Sequence, residues 1–364
     1  MVPWESLKLP IPNVATQEQI LRIDRDLNLL QAALGEMSAT LDQDWTLVPD
    51  IMEKIDRLKA VLDIERQIAD WWSELPYPLA TIYRRYQFST EPKDRFETLV
   101  HFFEMASVYL AAVGTSYVKV LRPDWRDVLA QWLHPSVGAG IERADFGFWI
   151  NLAAVSLKDT RRIVNDKNLR ERAEEIAGPE LVEVSRTIGG LGEAMEVLHV
   201  AKSYRNSWKG HGGHIKASDA MRLDDELQQS IRKLYEITAP IFRQLQLVRT
   251  GMLETTDTEN IYEIEKLSGS DPTFQRQKVE LERTRPRKSH TLAFWMNGAR
   301  TMCGAMPFFR LGAPQRPEET SFYVFNRVEN DGLRWISYQE TREQEIVAAD
   351  DELQTIIALG KSAK

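Results

Sequence analysis

Apolar positions near the start of the chain recur in alternating steps of three and four, at Ile20, Ile23, Leu27, Leu30, Leu34, Met37 and Leu41. That spacing is the seam of a coiled-coil helix. Thr16 and Gln19 fit a capping box at its start, where a hydroxyl and an amide satisfy free backbone N–H groups. A break from Asp44 to Asp50 contains Pro49, and Ile51, Ile55, Leu58 and Leu62 then repeat the spacing. The pattern predicts a helical hairpin within residues 1–75, entered through a Pro-rich segment. Two helices bury little surface alone, so the hairpin is expected to pack on the rest of the chain or on another subunit.

Pro76 and Pro78 mark a boundary, because proline disfavours helix in the residue before it. Pro92 to Leu121 then reads as a long helix that is apolar on nearly every side. Shorter helices are predicted at Trp125–Leu133, Trp149–Leu157, Asp166–Ala177 and Glu193–Asn206. A last one runs from Asp219 to about Arg249, with Leu223, Leu227, Ile231, Leu234, Ile241, Leu245 and Val248 on one stripe, Ser218 as N-cap and Pro240 as a kink. Residues 76–250 therefore read as one helical bundle and 251–289 as a charged connection. In 290–364 the period changes to two: runs at 290–296, 321–328 and 333–338 are β-rich, and Asn330-Asp331-Gly332 between the last two signals a hairpin. A helix is expected at Asp350–Leu359. The fold class this implies is mainly α, with an N-terminal coiled-coil hairpin, a central bundle and a small C-terminal α+β module.

Composition narrows the function classes. The chain has 364 residues and a net charge of −8, from 46 basic and 54 acidic residues. Length alone predicts two to three domains. The single cysteine, Cys303, forms no intramolecular disulfide and no thiolate zinc cage, so a reducing, cytoplasmic setting is expected. No leader-like start and no run of about 18 apolar residues is found, so the chain is expected to be soluble, without a membrane partner. Its acidity argues against coating nucleic acid, which needs many Lys/Arg to phosphate contacts. Between Lys202 and Arg222, however, five basic residues stand against one acid, Asp219.

That basic stretch contains Tyr204-Arg205-Asn206-Ser207-Trp208-Lys209-Gly210-His211-Gly212-Gly213-His214, expected as a loop between two helices. Arg205 can grip phosphate oxygens with two parallel N–H groups, and His211, with an unperturbed pKa of about 6.5, can move a proton at neutral pH. Asn206 offers a donor and an acceptor. The glycines bend the chain and let a phosphate approach the backbone. Lys202, Lys209 and His214 are candidate substrate contacts. Trp208 reads either as a stacking platform for a base or as packing, and Lys209 as a phosphate contact or a solvated lysine. Arg205 could instead serve the last carbonyls of its helix, with His211 an ordinary loop histidine. His211 and His214 have neither cysteine nor HExxH-like company, so no metal and no cofactor are expected. Glu104, on the long helix, reads as an orienting group or as a solvated carboxylate.

Arg205, Asn206 and His211 resemble the signature of the HEPN superfamily, an Arg followed by a polar residue and, after four to six residues, a His. The resemblance covers about residues 76–250. It implies a helical bundle that dimerises with its motifs facing one another, and a metal-independent endoribonuclease of prokaryotic defence, toxin or restriction-linked systems. Catalytic roles for Arg205, Asn206 and His211, an RNA substrate, a homodimer and an antitoxin or restriction partner follow as expectations. Arg95 to His101, Arg283 to His290 and Arg285 to His290 share the spacing but lack the polar neighbour or the position between core helices. Residues 7–42 also resemble the end of a target-recognition domain of type I restriction specificity subunits. That supports an alternative function, a non-catalytic assembly subunit of a restriction-modification-like complex.

Overall fold

The computed structural model describes residues 31–32, 34–35, 37–39, 48–134, 140–210, 216–255, 259–282, 290–312, 321–339 and 344–362. Helix α1 spans Val48–Asp70 and runs into a 3-10 turn at Trp71–Ser73. Pro49 lies in its first turn, where a missing N–H costs no hydrogen bond. The helix therefore includes Pro49, where a break was expected. Its last turn docks on its own chain: the Tyr83 hydroxyl donates to the Ile68 carbonyl at 3.2 Å, and Gln87 donates to Ala69 at 2.6 Å. Trp71 follows it inward and meets the rings of Tyr83, Phe102 and Tyr235 edge-on. The apolar residues at this end thus serve the bundle, and no coiled-coil hairpin is present among the described residues. Most of the expected first arm lies outside them.

The bundle is built around α3, Pro92–Leu121, which has Pro at its start and is buried along most of its length. Around it lie α2 (Tyr77–Phe88), α4 (Trp125–Leu133), α5 (Phe146–Asn165), α6 (Lys167–Ala177), α7 (Pro179–Gly189), α8 (Ala194–Gly210) and α9 (Ala217–Phe242). Gly114 lets α5 come close to α3: a Cβ there would lie 2.3 Å from Ser156 Oγ and 3.2 Å from Leu157 Cγ. Among the described helices α3 alone is long and apolar enough to cross a membrane, but 89% of its most apolar window is buried by its neighbours. Its composition is that of a core helix. Helix α9 starts one residue before the expected cap, Ser218, and retains Pro240 within its last turn.

The mainly α expectation fails beyond Phe242. Leu245 and Val248, which fit a helical stripe, belong to strand β1 (Leu245–Thr255). The supposed connection holds β2 (Glu259–Lys266) and β3 (Gln275–Glu282), and β4 (Leu292–Met296) and β5 (Met302–Gly304) complete an antiparallel sheet in the order β3-β2-β1-β4-β5. Charged residues alternate with Tyr262 and Ile264 on β2, and with Val279 and Leu281 on β3. These four residues cluster with Val248, Ala293, Trp295 and Met302 on one face. The other face sends Leu247, Phe294 and Cys303 into the main core. A second antiparallel sheet, β6-β7-β8-β9, comprises Phe309–Leu311, Phe322–Glu329, Gly332–Ser337 and Gln344–Ala348. Its β7–β8 hairpin turns at Asn330-Asp331, as the Asp-Gly signal indicated. Helix α10, Asp351–Ser362, is capped by Asp350, which accepts from the Leu353 N–H.

The sheets share the bundle's core. Tyr109 on α3 packs against Phe242 of α9, Phe294 of the first sheet and Phe309 of the second, with ring centroids 5.4, 5.7 and 6.1 Å away. Burial pushes its phenol far above the ordinary range. Ser116 of α3 accepts the Met306 N–H at 2.8 Å, a second tie between helix and sheet.

Candidate functional site

Helix α8 buries Ala194, Leu198 and Ala201, and the same stripe continues through Arg205 to the half-buried Trp208. Helical periodicity therefore turns Arg205 inward and leaves Asn206 and Ser207 exposed. The Arg205 guanidinium meets the carboxylate of Glu104, on the middle of α3, at 3.3 Å, and the two side chains are only 16% and 11% exposed. It also lies 6.0 Å from the ring centroid of Phe146, at the start of α5. Arg205 Nε is buried with no hydrogen-bond partner among the described residues. Glu104 is thus no solvated carboxylate but the side chain that fixes the motif arginine.

Lys202, one turn before Arg205, extends over the N-terminus of α5. A Cβ on Gly147 would lie 2.7 Å from its Nζ and 3.3 Å from Oδ1 of Asp145. Asp145 caps α5 by accepting the Phe148 N–H at 2.8 Å. Lys202 and Arg205 are therefore brought to the same end of α5. The helix continues through Asn206 to Gly210, so the loop expected from Asn206 starts later, and Lys209 occupies the last turn. Trp208 packs edge-on against Phe96, with centroids 5.9 Å apart. His211 and His214 lie outside the described residues. Tyr204 and Arg222 both interact with Glu226: hydrogen bonding between the Tyr204 hydroxyl and the carboxylate raises the phenol's pKa and lowers the carboxyl's, and Arg222 lies 2.6 Å from the same carboxylate. This bridge ties the end of α8 to the first turns of α9.

The competing Arg95 and His101 do not converge. Arg95 donates to Asp224 on α9 at 2.7 Å, whereas His101 stacks on Tyr338 of the C-terminal region, 4.5 Å between centroids. Arg283 and Arg285 lie outside the described residues. Arg84 and Arg85 have structural company: Arg84 lies over Trp72, and Arg85 donates to Thr98 and to the Tyr338 carbonyl. Among the described residues no group of three or more His, Cys, Asp or Glu side chains is placed to hold a metal ion. No family model matches the chain, and no curated protein or solved structure matches it.

Glu104 is the residue for which sequence reasoning left two readings open, an orienting group or a solvated carboxylate. The signal available was its isolation, a lone acid within the apolar run from Leu99 to Val113. Such a charge is tolerated in a core only with a partner.

Proposed function

We propose that the protein is a metal-independent endoribonuclease in which Arg205 binds the scissile phosphate and His211 transfers a proton. The observation that carries this reading is the Arg205–Glu104 pair. One Nη is committed to Glu104, which fixes the guanidinium and its positive charge in place for an oxyanion. Lys202 adds positive charge at the same end of α5, whose backbone N–H groups favour anions. Glu104 acts here as a positioning residue.

The chemistry is in-line attack of a ribose 2′-hydroxyl on its own 3′-phosphorus. The 2′ proton passes to His211 as the 2′-O–P bond forms. The P–O5′ bond breaks, and the leaving 5′-oxygen takes up a proton, giving a 2′,3′-cyclic phosphate and a free 5′-hydroxyl. Asn206 orients the histidine or the substrate. Arg205 neutralises the charge that builds on the phosphoryl oxygens. DNA has no 2′-hydroxyl and is not a substrate.

The assembly-subunit alternative rests on the seam at residues 20–41, most of which lies outside the described residues, so the site chemistry is the stronger guide. The test is cleavage of single-stranded RNA by the purified chain in EDTA, with the product ends identified. Cyclic phosphate ends, intact matched DNA, and at least about a hundredfold loss in both Arg205→Ala and His211→Ala are expected. Metal dependence, or undiminished cleavage by His211→Ala, would refute the reading.

A further inference from the structure

Strand β3, Gln275–Glu282, ends the first sheet. Its register on β2 runs unbroken from Gln275 opposite Lys266 to Glu282 opposite Glu259, and no other described strand pairs with its outer side. The other sheet edges are shorter, with three residues in β5 and in β6 and five in β9. An eight-residue edge without proline or bulge presents a row of backbone N–H and C=O groups to a further strand. The charges on β3 decide which strand fits.

Arg276, Lys278 and Glu280 share the sheet face that holds Arg249, Glu263 and Glu265. Signs alternate across that face. Arg249 of β1 bonds Glu265 of β2, and Glu265 in turn lies 3.0 Å from Arg276 of β3, each residue standing directly opposite the next. The neighbouring row sets Glu263 opposite Lys278. Both rows therefore reach the edge on a positive side chain, and Arg276 is still 68% exposed there. Further along β3 the sign reverses, to the exposed Glu280 and then to position 282, also a glutamate.

A strand whose charges run from positive to negative is complementary to its own antiparallel copy. With a two-fold axis through Val279, perpendicular to the sheet, Lys278 faces Glu280 of the second copy, Arg276 faces position 282, and Val279 meets itself. An axis at Lys278 or at Glu280 sets that residue against its own charge. An axis at Gln277 sets Arg276 against Lys278, and one at Leu281 sets Glu280 against position 282. Among axes from Gln277 to Leu281, the one at Val279 alone pairs unlike charges throughout, and it continues both alternating rows into the second sheet. Opposite charges directly across a strand pair stabilise it and like charges destabilise it. From this complementarity we infer that the protein forms a homodimer by antiparallel pairing of β3 with β3 of a second copy about Val279, joining two five-stranded sheets into one of ten strands. None of the residues around Arg205 takes part, so this dimer stands apart from the ribonuclease reading and from a dimer in which the motifs face one another.

Sedimentation equilibrium of the full chain, from about 5 to about 500 μM, tests it. The parent should pass from monomer to dimer over this range, and the dimer should weaken as salt is raised. Lys278→Glu and Glu280→Lys each set like charges across both symmetry-related pairs, and each variant alone should dimerise at least about tenfold more weakly. Mixed in equal amounts, the two variants again bring unlike charges together in both pairs, and the mixture should recover the parent affinity. Circular dichroism matching the parent establishes that each variant is folded. A parent that stays monomeric over the whole range would overturn the inference, whatever the variants do. So would a dimer that both folded variants form with parent affinity, or a mixture of them that associates no better than either alone.

Discussion

The guanidinium of Arg205, in the penultimate turn of α8, lies 3.3 Å from the carboxylate of Glu104 in the middle of α3, and each side chain is more than four-fifths removed from solvent. Removing one member strands the other's charge in a poorly solvated place. Such losses are typically about 3–5 kcal/mol for buried pairs, and this one, partly exposed, falls at the lower end.

Glu104→Ala should therefore lower the unfolding free energy by about 3 kcal/mol, and Glu104→Gln, which keeps an acceptor, by about 1–2 kcal/mol. Urea titration measures both. In the ribonuclease assay, Glu104→Gln should reduce kcat more than it raises KM, because the guanidinium remains present but is less firmly held. A Glu104→Ala protein as stable as the parent would show that the pair contributes nothing and that Arg205 needs no anchor.

A second prediction concerns how closely α3 and α5 approach. A Cβ at Gly114 would lie 2.3 Å from Ser156 Oγ, 3.0 Å from Ser156 Cβ and 3.2 Å from Leu157 Cγ. Ser156 is itself held, donating to the Leu152 carbonyl at 2.7 Å. Gly114→Ala gains helix propensity, about 1 kcal/mol in a helix interior. Overpacking of this kind costs about 1–3 kcal/mol, and at these separations the cost wins. Thermal melting should show a lower midpoint for Gly114→Ala, with partial recovery in the double variant Gly114→Ala, Ser156→Ala. A higher midpoint for the single variant would mean that the helices part freely.

The sequence made α3 plain because its apolar run begins at a proline and has no polar face to blur the period. It concealed β2 and β3 for the opposite reason. Each buries few side chains, Tyr262 and Ile264 on one and Val279 and Leu281 on the other, and fills the alternate positions with Glu, Lys, Arg and Gln. Average polarity there matches a solvated linker, and only the period of two gives the strands away. At α9 the difficulty was continuity: Leu245 and Val248 keep a helical spacing with Ile241, although the helix ends at Phe242. At the candidate site the residue types were legible, but the direction of Arg205 was not. Counting from Ala194, Leu198 and Ala201 would have turned Arg205 toward the core, whereas its basic neighbours suggested a solvent-facing loop. The acid it reaches is 101 positions away along the chain, a distance no local pattern encodes.

The last prediction follows from the Tyr204–Glu226 bridge. The hydrogen bond from Tyr204, reinforced by Arg222, lowers the Glu226 carboxyl below its ordinary 4.5, and the bond to Glu226, with some burial, raises the Tyr204 phenol above 10.0. A depressed carboxyl contributes stability that is present above the unfolded pKa and lost as pH falls through the folded value. A raised phenol contributes stability that is present below its unfolded pKa and lost as pH rises through the folded one. The bridge should therefore hold α8 to α9 across neutral pH and loosen at both extremes, below about pH 4 and above about pH 10. Carbon-detected NMR titration of Glu226 should give a pKa that moves upward toward 4.5 in Tyr204→Phe, with Arg222 preserving part of the depression. The difference in melting temperature between parent and variant should shrink as the pH is taken down through the Glu226 transition. An unmoved Glu226 titration in Tyr204→Phe would mean that the two side chains do not bond in solution and that the end of α8 is free of α9.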